Sequence, residues 1–347
     1  MNSVIPRRRC LAMTAGGLVA GLIGGSRAVE AEPQNRIERL DSRLDAVLGT
    51  SPTCEVIGRG FAWAEGPTWD QKRRRLYFSD IPPNKMMSWK SGSGISVWRS
   101  PAGAGGAGPG ANPGTNGLLY LPGEDALLVC DQDTRSILKY ALGRPAAPDV
   151  VVRGAAGAAF NSPNDLVMAS DGRLFFTDPP FGLDGGLKSI ARMRSVNGVY
   201  CRAPSGQIAL IDGTLVAPNG IGLSPGDQHL YVSVSDAASP WIVRYARAGS
   251  GWLRDQSTWF DMSRFLAGNT PGAPDGMAIA SNGIVFATAP GGVAILTPEA
   301  QLLGMIRTGR ATGNCCFGEG GSTLFITSDD ILLRVRTKVS GLGFRTL

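Results

Sequence analysis

Short runs in which apolar and polar residues alternate recur from about residue 55 to the end of the 347-residue chain; RLYFSD, ALLVCD, RLFFTD, HLYVSV, IVFATA and TLFITS are the clearest. Each is bounded by Gly, Pro, Asn, Asp or Ser, the pattern of half-buried strands joined by tight turns. Long helical periodicity is absent after residue 50. The pattern predicts an all-β chain.

The runs fall into six units that share one grammar: a polar opening residue, a short apolar strand, a turn such as Ser170-Asp171-Gly172 or Ser281-Asn282-Gly283, then two further strands. The openers are Glu65, Asn116, Asn164, Asn219, Asp275 and Asn314, at intervals of 51, 48, 55, 56 and 39 residues. Repeats of this length and composition predict a six-bladed β-propeller of four-stranded blades around a central channel. A β-sandwich rarely repeats one opener six times, and a solenoid has shorter repeats. Residues 32–60 are expected to supply a short helix and the strand that closes the ring. The stretch 101–114 (PAGAGGAGPGANPG) is too poor in side chains to pack and reads as a flexible surface loop bordering the substrate entrance.

In a propeller the innermost strand of each blade lines the channel, so six openers converge on one end of the axis. The ring they form has two carboxylates, four carboxamides and no imidazole or thiolate. Oxygen ligands of this kind suit one divalent hard cation, Ca²⁺ first, with Mg²⁺, Mn²⁺ or Zn²⁺ as alternatives. Asn and Asp before Gly are also ordinary turn formers, but Glu65 is not a turn residue, and two carboxylates facing each other in a narrow channel repel unless a cation sits between them.

Charge and leader narrow the partners. Arg7, Arg8 and Arg9 precede the mildly apolar stretch Leu11–Gly25, a secretory pattern whose Arg8-Arg9-Cys10-Leu11 run fits twin-arginine export. Residues 1–31 are therefore expected to be an export signal, residues 32–347 a single catalytic propeller, and the location periplasmic, with no stable membrane insertion once the signal is removed. The leader holds four Arg and one Glu, so the formal +6 falls to about +3 without it, and no dense basic stripe remains for nucleic acid. A small molecule is the expected partner, for a monomer or weak dimer. The cysteines at 54, 130, 201, 315 and 316 show no CxxC spacing and are expected to be buried thiols.

Two motifs are coincidental. Gly222-Leu223-Ser224-Pro225-Gly226 fits GxSxG near the chain's single histidine, His229, but lies between two predicted strands rather than between a strand and a helix. Gly103–Gly108 fits GxGxxG, yet Pro109 and Pro113 forbid the helix such a fingerprint opens. Trp63, two residues before Glu65, borders the expected pocket.

EGPTWD with LYFSDI, NSPNDLVMASDGRLFFTDPPFGL, PNGIGLSPGDQHLYVS, PDGMAIASNG and GNCCFG, taken in this order over residues 55–335, closely resemble the senescence marker protein/gluconolactonase family, in particular its bacterial gluconolactonase branch. The resemblance implies a six-bladed propeller with one catalytic divalent metal acting on aldonolactones. It also implies that Glu65, Asn219 and Asp275 are metal ligands and that Asn164 contacts the metal or its water, with Asp165 beside it as a further expected substrate contact. Vertebrate members place an Arg two positions before that Asn to hold sugar hydroxyls; this chain has Ser162 there, so Ser162, Asn161 and nearby loop residues are the expected substitutes. A lactone needs a Lewis acid and a positioned water. Asp275 is the candidate base that takes the proton from that water, and Asn116 and Asn164 are candidates to orient water or substrate hydroxyls. The same site on another lactone or an organophosphate, and a non-catalytic cation- or ligand-binding propeller, remain open readings.

Overall fold

The alternating runs are strands, and they assemble in antiparallel groups of four. In a computed structural model, which describes residues 36–106, 110–143, 147–248 and 252–344, the first blade comprises Ala64–Asp70, Arg75–Asp80, Lys85–Lys90 and Gly94–Arg99. The second comprises Thr115–Leu121, Ala126–Asp131, Ser136–Ala141 and Asp149–Val152, and the third Leu166–Met168, Leu174–Asp178, Gly198–Arg202 and Ile208–Asp212. Blade four holds Pro218–Leu223, His229–Val234, Trp241–Ala248 and Trp252–Asp261; blade five holds Met277–Ile279, Val285–Ala289, Gly292–Leu296 and Leu302–Arg307. Blade six takes three strands from the C-terminal part, Asn314–Gly318, Thr323–Ser328 and Ile331–Arg336, and its outer strand, Cys54–Arg59, from the N-terminal part. Each blade's first strand contacts the first strand of the next, and blade six contacts blade one, so the ring is closed as the repeat predicts.

Residues 36–59 do more than close it. Arg36–Arg39 pairs with Leu302–Arg307 as a fifth strand of blade five. The short helix Leu44–Leu48 buries Leu44, Val47 and Leu48 in the apolar layer between blades five and six. The expected export signal, residues 1–31, lies outside the described residues. Among the described residues no helix is long and apolar enough to cross a membrane.

The core is distributed between the blades. Each inward-facing set of alternate residues packs on its neighbour: Leu128, Ile137, Leu166, Phe176 and Tyr200 join blades two and three, and Trp69 stacks on Phe325 at 5.4 Å where blade one meets blade six. Phe78, Phe160, Phe176, Phe286 and Phe325 are fully buried, each contributing on the order of 2 kcal/mol. Cys315 and Cys316 are not bridged to each other; as successive strand residues they point to opposite faces and enter different apolar layers, as expected.

Antiparallel pairing puts three features on one face of the ring: the start of each first strand, the turn joining the second and third strands, and the loop arriving from the previous blade. The Gly- and Pro-rich connection between blades one and two lies on this face, but its described part is not loose. Ala102 is fully buried, and its N–H and that of Gly103 donate to the side chain of Asn84. Asp131 accepts from Ala104, and Asp133 accepts from Gly105 and Gly114 at 3.0 and 2.7 Å. Beyond residues 107–109, Ala111 bridges to Leu183, and Asn112 N donates to Gly182 O at 2.8 Å, clasping the connection to the long turn of blade three. Buried carboxylates downstream supply the order that its own side chains cannot.

Candidate active site

Register shifts in the first strands of blades one, two and four fall at Glu65–Thr68, Thr115–Leu118 and Pro218–Ile221. An extra residue here rotates the opener relative to the strand that follows. Directly after four of the openers comes a glycine with no room for a side chain. A Cβ on Gly66 would lie 2.3 Å from Asn116 O, on Gly117 2.7 Å from Asn164 O, on Gly220 2.1 Å from Asp275 O, and on Gly276 1.9 Å from the Asn314 carboxamide. The first strands are thus drawn together until backbone meets backbone around the axis.

These contacts define two layers. In the upper layer stand Glu65, Asn116, Asn164, Asn219 and Asp275, as read from the sequence. The sixth position is Gly313 rather than Asn314. Gly276 N donates to Gly313 O at 2.7 Å just as Gly117 N donates to Asn164 O at 2.8 Å. Likewise Thr288 Oγ1 donates to Gly313 O as Ser79 Oγ donates to Asn116 O and Thr177 Oγ1 to Asn219 O. Asn314 belongs to the lower layer, level with Gly66, Gly117, Gly220 and Gly276, and Asp165 is there too. Asn314 Nδ2 donates to Asp165 Oδ2 at 3.4 Å, joining blades six and three across the channel. Beyond this pair the channel widens into a chamber of about 380 Å³, lined by Leu118, Tyr120, Met277, Phe317 and the C-terminal Phe344.

Glu65, Asn116, Asn164 and Asn219 are buried, Asp275 is half-buried, and Glu65 and Asn219 are held by hydrogen bonds. Glu65 Oε2 accepts from Gly66 N at 2.9 Å, and the Trp63 side chain bonds the same carboxylate. Burial, with Asp165 nearby, pushes Glu65 up to about 8; burial, then Glu65 and Asp165, raises Asp275 well above the usual carboxylate range; and burial lifts Asp165 to about 6. The charged groups that act most strongly on Glu65 and Asp275 are other carboxylates. Asn219 Nδ2 donates to Ser235 Oγ at 2.9 Å, and Ser235 Oγ passes a bond to Pro274 O, so the carboxamide is fixed with Oδ1 as its remaining donor of electrons.

A buried and a half-buried carboxylate whose leading charged neighbours are other carboxylates, beside amide oxygens, fit a divalent oxygen-seeking metal. Among the described residues no three His, Cys, Asp or Glu side chains are arranged to hold a metal. A cation at the ring would therefore draw on carboxamide oxygens too, and Asn116, Asn164 and Asn219 stand in the upper layer with Glu65 and Asp275.

Ser162 and Asn161, the expected substrate contacts, are fully enclosed. Ser162 Oγ accepts from Gly182 N at 3.1 Å, while Asn161 Oδ1 accepts from Met193 and Arg194 N and its Nδ2 donates to Val196 O. Both hold the long turn of blade three in place. Three aspartates escaped the sequence reading. Asp80 accepts from Ala62 and Trp63 N, Asp178 from Asn161 and Ser162 N at 2.8 and 2.7 Å, and Asp131 from Ala104 N, each tying down the loop just before an opener. Their signal was an Asp ending the second strand of successive units. Arg135, buried at the blade-two turn, donates to Asn161 O at 3.0 Å and brings a guanidinium to the same wall. Ser224 and His229 lie at the far end of blade four, where Ser224 Oγ accepts His229 N, well removed from the ring.

Fold and site together define a six-bladed propeller with an oxygen-rich ring at one end of its axis. Residues 63–330 match the SMP-30/Gluconolactonase/LRE-like region, and the chain belongs to that family. It is 38% identical to the gluconolactonase of Zymomonas mobilis over 96% of this chain and 98% of that protein. A lactonohydrolase of Aspergillus oryzae is 31% identical over 40% of this chain and 33% of its own length. Among solved structures, the Xanthomonas campestris gluconolactonase superposes with a TM-score of 0.74 at 27% identity, over 87% of this chain and 94% of that one.

Proposed function

We propose that this chain is a lactonase of the gluconolactonase type that opens sugar lactones with one divalent cation, Ca²⁺ foremost, held by Glu65, Asn164, Asn219 and Asp275. The supporting observation is the upper layer itself: buried Glu65 and half-buried Asp275, both raised above the usual carboxylate range by loss of solvent and by neighbouring carboxylates, stand beside carboxamides. The Zymomonas relative, similar over nearly its whole length, supports the substrate class.

When bound, the cation supplies Lewis-acid polarisation of the lactone carbonyl. Asp275 then removes a proton from the attacking water as its oxygen bonds to the carbonyl carbon. As the ring C–O bond breaks, the same carboxyl returns the proton to the leaving alkoxide, giving the open hydroxy acid. Asn116 and Asn164 orient the water or substrate hydroxyls from the blade-two and blade-three sides. Fixed by Ser235, Asn219 holds its position without reorganising.

Proton release from D-glucono-1,5-lactone, measured alongside an aromatic lactone and an organophosphate, tests this reading. Chelated protein should be inactive and regain turnover with Ca²⁺ or another divalent ion. Asp275→Asn should lower kcat by at least about 100-fold, the scale of general acid–base catalysis. Full activity in that variant would remove Asp275 as the base, and activity indifferent to chelation would sink the metal reading.

A further inference from the structure

The lower layer is where this ring departs from its own repeat. Four of its six positions are glycine because the neighbouring first strand leaves no space. The other two, on blades three and six, carry Asp165 and Asn314. Blades three apart in a ring of six face one another, so the 3.4 Å bond between these side chains is a crossbar over the axis.

Both ends of the crossbar are anchored. Asp165 Oδ1 accepts from Leu166 N at 2.9 Å, and Asn314 Oδ1 accepts from Cys315 N at 2.8 Å. Asp165 Oδ2 accepts a second bond, from Ile221 N at 3.3 Å, which ties blade three to blade four. Through these contacts the pair reaches the chain next to every residue proposed to hold the cation. Asp165 follows Asn164, and Ile221 lies two residues after Asn219. The Asn314 carboxamide fills the space beside Gly276, which follows Asp275. Gly313, which precedes Asn314, packs against Glu65, whose Oε1 would lie 2.1 Å from a Cβ at that position.

We infer that Asp165 and Asn314 are positioning residues, a crossbar beneath the ring that fixes the separation of Glu65, Asn164, Asn219 and Asp275 and so the size of cation the ring accepts. The inference rests on the proposed function. Neither side chain is in the upper layer, and both oxygens of Asp165, an expected substrate contact, are taken up by Leu166 N, Ile221 N and Asn314 Nδ2. Ca²⁺ and Mg²⁺ differ by roughly 0.4 Å in oxygen distance, so a ring of fixed aperture separates them, whereas a ring free to close does not. With the crossbar gone, only the contacts between neighbouring first strands are left to set the aperture.

The test is calorimetric titration of the chelated full-length protein with Ca²⁺ and, separately, Mg²⁺. Wild type should bind Ca²⁺ more tightly. In Asp165→Ala and in Asn314→Ala, Ca²⁺ affinity should weaken by about 10- to 100-fold, the range seen when supports of metal ligands are removed. Mg²⁺ affinity should weaken less, so the ratio of the two dissociation constants moves towards one. Asp165→Asn keeps side-chain length and an acceptor for Ile221 N–H, so it should weaken both cations together and preserve the ratio. If Asp165→Ala fails to fold, Asn314→Ala reads the same ratio with the carboxylate in place. Wild type that takes up neither cation would overturn the reading of the ring and the crossbar's role with it. Wild type that binds, with folded alanine variants keeping both affinities within about threefold, would overturn the crossbar alone, since supports of this kind act by tenfold or more.

Discussion

Asp178 shows what enclosure does to a single carboxylate. Loss of solvent pushes it up to about 8, although Asn161 and Ser162 donate to it and the Arg194 and Arg135 guanidiniums pull the other way. A group raised in the folded state stabilises fully only below its unfolded value, here near 3.8, and that stability is lost as pH rises through about 8. Asp178→Asn removes the dependence. Its melting temperature relative to wild type should therefore climb by several degrees between pH 5 and pH 8, each pKa unit being worth about 1.4 kcal/mol; a constant difference across that range would refute the assignment. Ser235→Ala makes a separate prediction, because it releases the Asn219 carboxamide. Calorimetry should show divalent-cation affinity about 10-fold weaker or more, with little change in melting temperature. At this scale Glu65, Asn219 and Asp275 were legible because each combines a polar side chain with a following glycine in a fixed place in the repeat. Asn314 misled because an Asn close to the expected place, followed by Cys315 and not glycine, hid the fact that Gly313 is the residue in register, which shows only in the carbonyl contacts to Gly276 and Thr288. Asp80, Asp131 and Asp178 were missed because a carboxylate that caps another loop's amides leaves no local pattern at its partners.

Among the elements, the first strands carry the tightest constraint. Gly220→Ala would place a methyl 2.1 Å from Asp275 O, a backbone atom that cannot swing aside. It should cost about 1–3 kcal/mol of stability, as overpacking does, and because the clash is at Asp275 it should depress kcat as well. Denaturation and steady-state kinetics on one preparation would read both, and a variant of wild-type stability would show that the first strands have slack. The strands themselves were visible in their alternation, and so was the helix within residues 32–60. Arg36–Arg39 was not, since RIER offers a single apolar residue, Ile37, too little for an alternating pattern, and it pairs with the edge at Leu302–Arg307. The Gly- and Pro-rich connection was misjudged as flexible for a related reason. Its order comes from Asn84, Asp131 and Asp133, elements away in sequence, and composition alone records none of them.

For the molecule as a whole, closure is the decisive fact. Cys54–Arg59 pairs along Ile331–Arg336, reinforced by Arg334 with Glu55 at 2.8 Å. Removing residues before 60 would strip the outer strand from blade six and the added strand and helix from blade five. Such a truncation should lose cooperative thermal unfolding, whereas one ending at residue 31 should keep it; scanning calorimetry on the pair decides the point. The six-bladed count was readable because repetition survives divergence between units. Which strand closes the ring was expected from length, and its partner is now identified.

That closure also sets a timetable. The outer strand of blade six leaves the ribosome before the four consecutive strands of each of blades one to five, and its partner after them. Every blade but the sixth can gather its four strands in sequence during synthesis, yet the ring stays an open arc, with the Cys54–Arg59 strand unpaired, until Ile331–Arg336 is made. Contacts this distant in sequence form slowly, and the unfinished arc is the species most exposed to aggregation. Pulse-labelled chains stalled before residue 331 should bind chaperones and be cut readily by protease, and those released should resist it. The strand that secures the finished protein is thus also the one that leaves it vulnerable for longest while it is being built.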